Sequence, residues 1–305
     1  MKIIYMGTPD FAVPALEKLA TGKHTVQAVF TQPDKPQGRK MILTPPDVKV
    51  SAEKLGIKVY QPETFKDGKA LEIIKEYNPD VIVVAAYGKI LPDEVLNAPK
   101  YGCVNIHGSI LPKYRGASPI QQSVLNGDKV TGVTAMQMDS GVDTGDILNV
   151  IETEIGENET SGELFDRLAL LGGDLIEQTL DMIEKGEITP VKQDETQAVH
   201  TSKIDKSSCL IDFTKSAQEM HNQVRGLNPW PVAVTEFSGK KMKIFSTRVN
   251  HQSGRVQTVL SIKPLIIACG ENSLEILEVQ LEGKKRMTAE AFLAGHKLSI
   301  GDVFA

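Results

Sequence analysis

The chain has 305 residues, 41% of them hydrophobic, enough to bury a substantial core and long enough to favour two domains. A net charge of −5 taken alone argues against a nucleic-acid partner, yet the sign is unevenly spread: residues 1–205 hold 21 Lys and Arg against 30 Asp and Glu, residues 206–305 hold 13 against 9. Three distant cysteines without a Cys-x-x-Cys indicate neither a disulfide framework nor a zinc site, and no apolar run approaches the ~20 residues of a membrane span, so a soluble, cytoplasmic protein is expected.

Residues 3–6 form a short apolar strand that runs straight into a Gly-containing turn, so the N-terminus reads as a first strand and not as a signal peptide. Thr8 is placed to cap a helix reaching Leu19, with Pro9 at its first position. Gly7-Thr8-Pro9 lacks the Gly-x-Gly-x-x-Gly spacing, and Pro9 and Asp10 would obstruct a pyrophosphate, which excludes a dinucleotide cofactor. Residues 26–30 are the next strand. Residues 31–49, rich in proline and charge, read as neither helix nor strand. Residues 52–55 and 71–77 read as helix, and residues 81–86 as a fully apolar strand of the parallel type. This rhythm implies a Rossmann-like, doubly wound α/β domain, in which ligands sit outside the strand C-terminal ends. Gly7, Tyr87-Gly88 and the stretch from Asn105 to His107 all fall at such ends.

The densest segment is Asn105-Ile106-His107-Gly108-Ser109-Ile110-Leu111-Pro112-Lys113-Tyr114-Arg115-Gly116, followed later by Ser140-Gly141-Val142-Asp143-Thr144-Gly145-Asp146. On a strand, residues two apart face the same side, so Asn105 and His107 point together, an arrangement for handling a carbonyl. Cys103 shares that periodicity, which makes a thiol nucleophile the minority alternative. Residues 131–138 and 147–155 read as paired strands, and residues 160–184 carry a helical apolar period that is packing. A polar stretch at residues 189–207 reads as a linker between a catalytic domain, residues 1–188, and a C-terminal domain, residues 208–305. In the latter, short strands at 232–237, 241–249, 256–262, 265–269 and 274–281 suggest a small β-barrel, with Trp230 before it as a packing anchor.

The Asn-x-His strand end, the Ser-Ile-Leu-Pro loop and the later Asp-Thr-Gly resemble the active-site signature of the 10-formyltetrahydrofolate-dependent formyltransferases, with a mild departure at Ile110 that keeps apolar character. Met6-Gly7-Thr8-Pro9-Asp10-Phe11, Thr31-Gln32-Pro33-Asp34-Lys35-Pro36, Tyr87-Gly88-Lys89-Ile90-Leu91-Pro92, Gln193-Asp194-Glu195-Thr196 and Asn228-Pro229-Trp230-Pro231 extend the resemblance over essentially the whole chain. It implies Asn105, His107 and Asp143 as the catalytic set, and Ser109, Ile110, Leu111 and Pro112 as the folate-binding loop. It implies 10-formyltetrahydrofolate as donor, tetrahydrofolate as product and initiator methionyl-tRNA as acceptor. The C-terminal domain would be an OB-like barrel. Arg39 and Lys40 in the 31–49 loop, with Lys284, Lys285 and Arg286 on the barrel, would touch the tRNA. No metal is required, no membrane partner is implied and a monomer is expected. Members that formylate small amines or amino-sugar nucleotides share the catalytic block. Gly7 to Phe11, the loop from Lys35 to Lys40 and Ala117-Ser118-Pro119-Ile120-Gln121 favour the tRNA branch.

Overall fold

A computed structural model describes residues 1–38 and 40–304. In chain order the first elements are β1 (Lys2–Gly7), α1 (Val13–Thr21), β2 (Thr25–Phe30), β3 (Lys35–Gln37), β4 (Ile42–Thr44), α2 (Asp47–Lys54), β5 (Lys58–Tyr60) and α3 (Lys69–Tyr77). There follow β6 (Val81–Ala85), α4 (Asp93–Leu96), β7 (Cys103–His107), β8 (Arg115–Gly116), α5 (Pro119–Leu125), β9 (Val130–Gln137), β10 (Ile147–Glu154) and α6 (Ser161–Lys185). The last are β11 (His200–Thr201), α7 (Ala217–Gly226), β12 (Ala233–Phe237), β13 (Lys240–Asn250), β14 (Val259–Ile262), β15 (Leu265–Ala268), β16 (Ser273–Leu281), β17 (Met287–Thr288) and α8 (Ala289–Gly295). The chain divides into two compact units. One comprises Met1–Gly116, Thr131–Thr153 and Phe165–Thr201; the other comprises Ala117–Val130, Glu154–Leu164 and Ser202–Ala305.

The first unit is built on strands buried on both faces. All five residues of β6 and of β7 are buried, as are the last five of β1. Such strands need cover on both sides, which a parallel sheet with crossover helices supplies. The seven-stranded sheet has the order β10-β9-β7-β6-β1-β2-β5. Its parallel part runs outward from β1 in both directions, to β2 and β5 on one side and to β6 and β7 on the other. That reversal is the switch point of a doubly wound sheet, where ligands bind. Strand β9 then pairs antiparallel with β7, making the sheet mixed.

Two expectations for this unit need correction. Thr8 does not cap a helix; its hydroxyl donates to the Tyr87 carbonyl (2.9 Å), and a 3-10 turn over Asp10–Ala12 precedes α1. The 31–49 stretch is not irregular throughout. Strands β3 and β4 form an antiparallel hairpin, and α2 begins at Asp47 because Val48, Ser51 and Ala52 give it a buried face that outweighs a proline-rich approach. Arg39 lies outside the described residues. The expected linker contributes order to this unit: Val191 bridges Ile147, and β11 pairs parallel with β8.

In the second unit, strands β12-β13-β16-β15-β14 form an antiparallel path with β17 added to β16. Alternation along β13 and β16 places Met242, Ile244, Leu274, Ile276, Val279 and Leu281 in a core with Phe213, Phe292 and Phe304. Among the described residues this path is an antiparallel sheet, and no pairing of β12 to β14 closes it. Helix α7 does not stand out in the sequence, although a capping box of Ser216 and Glu219 starts it. Trp230 is 61% exposed and anchors no core, because the prolines on either side hold a turn whose carbonyl accepts from Gln121 (2.9 Å).

Candidate active site

Strand β7 delivers the two polar side chains. Flanked by parallel β6 and antiparallel β9, it ends with Asn105 opposite Met136 and His107 opposite Thr134. Asn105 and His107 are 9% and 6% exposed. Among the described residues the Asn105 amide has no hydrogen-bond partner, which leaves its donors for a ligand. Cys103, further back on the strand, packs in the core and points its thiol at the carbonyls of Val95 and Leu96 (3.7 and 3.8 Å). Burial pushes that thiol up to about 12, which removes the thiolate a nucleophile would need.

His107 is oriented by main chain. Its Nε2 lies 2.9 Å from the Tyr114 carbonyl, which can only accept, so Nε2 carries the hydrogen and Nδ1 is the free basic nitrogen of the neutral ring. Nδ1 faces Asp143 Oδ2 at 3.6 Å, beyond an ordinary hydrogen bond. The Asp143 carboxylate accepts from the Gly116 N–H (2.8 Å). Tyr114 and Gly116 have φ of 62° and 100°, and Asp143 has φ of 55°, a left-handed conformation that a short polar side chain tolerates. A Cβ on Gly116 would come within 2.6 Å of the Thr201 carbonyl oxygen, and one on Gly145 within 1.7 Å of that of Gln137. Gly116 thus lets β8 lie close against β11, and Gly145 lets its loop fold back on the end of β9.

Behind the carboxylate sits a polar chain that sequence reasoning does not assign. Gln193 donates to the carbonyls of Asp143 (2.9 Å) and Gly145 (2.7 Å), and accepts from Arg115 Nε (2.9 Å). The buried Arg115 guanidinium closes a two-pronged pair with Glu195 (2.9 and 2.8 Å). That bond raises the Arg115 pKa and holds the Glu195 carboxyl below its usual range. Three consecutive residues thus fix the site: Tyr114 the imidazole, Arg115 the Asp143 main chain through Gln193, and Gly116 the carboxylate. Arg115 and the run from Gln193 to Thr196 are conspicuous motifs, but nothing local announces that they meet.

The loop after β7 is tied to itself and to β9. Ser109 is fully buried, donating to the Lys113 carbonyl (2.6 Å) and accepting at its own carbonyl from Thr134 (2.6 Å). Leu111 is buried, its N–H donates to Thr134 Oγ1 (3.1 Å) and its bond to Pro112 is cis, while Ile110 and Pro112 are half-buried. The Ser109 and Leu111 side chains therefore shape the loop from inside. In the same unit, Lys40 is exposed beside the β3–β4 turn. In the other, Lys284 and Lys285 are exposed after β16, whereas Arg286 is held by Glu278 and lies over the Phe245 ring (4.4 Å). Among the described residues no cluster of three or more His, Cys, Asp or Glu is placed to hold a metal, and no helix is long and apolar enough to cross a membrane.

Residues 1–180 match the formyl transferase family model and residues 203–297 that of the formyl transferase C-terminal domain. A methionyl-tRNA formyltransferase of Acetivibrio thermocellus is 47% identical, over 99% of each chain, and one of Lachnospira eligens 48% identical, over 99% of this chain and 98% of that one. Among solved structures, an N-formyltransferase from Helicobacter canadensis in complex with folinic acid and dTDP-3-aminofucose superposes with a TM-score of 0.70 at 20% identity, covering 94% of this chain and all of that one. HypX from Aquifex aeolicus in complex with tetrahydrofolic acid gives 0.63 at 14% identity, covering 99% of this chain and 50% of that one.

Proposed function

The chain belongs to the methionyl-tRNA formyltransferases, and on that premise we propose how its own residues carry out the transfer. The enzyme moves the formyl group of 10-formyltetrahydrofolate to the α-amine of methionyl-initiator tRNA, for translation initiation. Asn105, His107 and Asp143 are the catalytic set. An α-amine ordinarily titrates near ~8, so a ready fraction of the methionyl amine is neutral at physiological pH. That neutral amine attacks the formyl carbon, and the carbonyl electrons move onto oxygen. The Asn105 amide, which has no hydrogen-bond partner among the described residues, donates to that oxyanion.

His107 Nδ1 takes the proton the amine must shed, directly or through a water shared with Asp143. With Nε2–H already committed to Tyr114, the neutral ring has no second donor to offer; it becomes a donor only after taking that proton. Asp143 at 3.6 Å then stabilises the imidazolium. The proton passes to the folate nitrogen as the carbon–nitrogen bond breaks, leaving formylmethionyl-tRNA and tetrahydrofolate. No protein side chain is acylated. Ser109, Ile110, Leu111 and Pro112 serve the folate through the backbone and apolar face of their loop.

We read the antiparallel sheet of the second unit as OB-like, residues 208–305 as the tRNA-binding domain, and residues 189–207 as the connection from a catalytic domain of residues 1–188. The family match at residues 203–297 supports this division. Arg39 and Lys40 meet the acceptor end of the tRNA, and Lys284, Lys285 and Arg286 meet phosphates, Arg286 by exchanging its partner Glu278. Both substrates are soluble, and we place the enzyme in the cytoplasm as a monomer.

The unpartnered Asn105 amide beside the fixed His107–Asp143 pair carries this reading. Replacing Asn105 or His107 by Ala should lower single-turnover transfer by at least ~100-fold each while donor affinity stays within about threefold. Asp143→Asn should fall similarly. Near-normal turnover in His107→Ala with lost donor affinity would refute these roles.

A further inference from the structure

Gln193 is 9% exposed, and all three hydrogen-bonding positions used by its amide point at the site's scaffold. Its two N–H bonds go to the carbonyls of Asp143 and Gly145, and its oxygen takes the Arg115 Nε hydrogen. The orientation is unique. Turned over, the amide would set its oxygen against two carbonyls and its N–H groups against a guanidinium. Arg115 cannot drift, because Glu195 occupies both of its terminal nitrogens. Asp143 is thereby gripped at two points: its carbonyl by Gln193, and its carboxylate by the Gly116 N–H of the residue that follows Arg115.

We infer that Gln193, locked by Arg115, is a positioning residue for formyl transfer: it holds the Asp143–Gly145 main chain so that the Asp143 carboxylate faces His107 Nδ1. The inference rests on the catalytic role given above to Asp143. Gln193 lies 50 residues from Asp143 and 78 from Arg115, and its amide is spent on main-chain carbonyls and on Arg115. Its effect on the rate passes through the geometry of a carboxylate already 3.6 Å from its partner, where a further displacement of about 1 Å can cost ~100-fold.

Gln193→Glu separates positioning from simple support. The carboxylate keeps the side-chain length and can still accept from Arg115, so that anchor survives. It also turns two donors into acceptors facing the Asp143 and Gly145 carbonyls, which must then move. We expect kcat to fall by ~10- to 100-fold while the KM values for 10-formyltetrahydrofolate and methionyl-tRNA stay within about threefold. Gln193→Met, which removes the same bonds without adding charge, should show the same split. The Gln193→Glu, Asp143→Asn double variant should be no more than about threefold slower than Asp143→Asn alone, since one acts through the other. Wild-type kcat in both Gln193 variants, or full additivity with Asp143→Asn, would overturn the inference. Asp143→Asn by itself at near-normal rate would instead overturn the catalytic reading of Asp143, whatever Gln193 does. If both Gln193 variants lose donor affinity or melt below the assay temperature, the exposed Glu195→Ala carries the test. It should lower kcat by about threefold or more at unchanged KM, and an unchanged kcat there would equally overturn the inference.

Discussion

Asn105 and Cys103 share a strand and a periodicity, yet burial gives them opposite fates. Among the described residues the Asn105 amide at the strand end has no hydrogen-bond partner, whereas Cys103 is enclosed among apolar side chains and the carbonyls of Val95 and Leu96. With its thiol pushed up to about 12, almost none is ionised at neutral pH. Cys103→Ala should therefore keep transfer within about threefold, and a loss beyond ~100-fold in a protein with normal donor affinity would revive a thiol intermediate. Asn105, His107 and Asp143 are legible in the sequence because their spacing and neighbouring glycines carry a recognisable pattern. Gln193 is visible there only as part of a motif. Its three contacts reach Arg115, Asp143 and Gly145, all distant in sequence, so no local pattern announces them.

At the scale of elements, strands bearing unbroken apolar runs are plain in the sequence, as are the long helix α6 and most strands of the second unit. The misreadings lie in short elements. Strands β3 and β4 are a short, largely exposed hairpin that pairs only with itself and leaves no buried apolar pattern to read, and α2 takes its stability from a small buried face that outweighs local proline and charge. Helix α7 has a titratable side chain in its packed face. His221 accepts at Nδ1 from the Thr247 hydroxyl (3.0 Å) and donates from Nε2 to the Glu157 carbonyl (3.1 Å). Burial above all lowers its pKa, the Glu157 carbonyl opposing and the Arg225 charge adding. A histidine with a folded pKa below its unfolded value of about 6.5 gives full stability above that pH and loses it progressively on acidification toward the folded value. Between pH 7.5 and 5.5 the melting temperature should drop more steeply in the wild type than in His221→Gln, although the variant starts lower. Parallel curves would show that His221 is not the acid-sensitive group.

For the whole molecule, the acidic chain carries its surplus of positive charge in residues 206–305, the part toward which a polyanion would be drawn. The doubly wound sheet explains where that chemistry sits, since β7 ends on the same edge as β1 and β6, whose reversal opens the ligand crevice. The fold is shared with an N-formyltransferase solved in complex with dTDP-3-aminofucose, so the fold by itself does not fix the identity of the acceptor. That identity is tested most directly by supplying 10-formyltetrahydrofolate with, in parallel, methionyl-initiator tRNA, methionyl-elongator tRNA, free methionine and an amino-sugar nucleotide. Formylmethionine should accumulate on the initiator tRNA at a kcat/KM at least ~100-fold above that for either small amine. Equal transfer to a small amine, or release of formate at the same rate with no acceptor present, would contradict it.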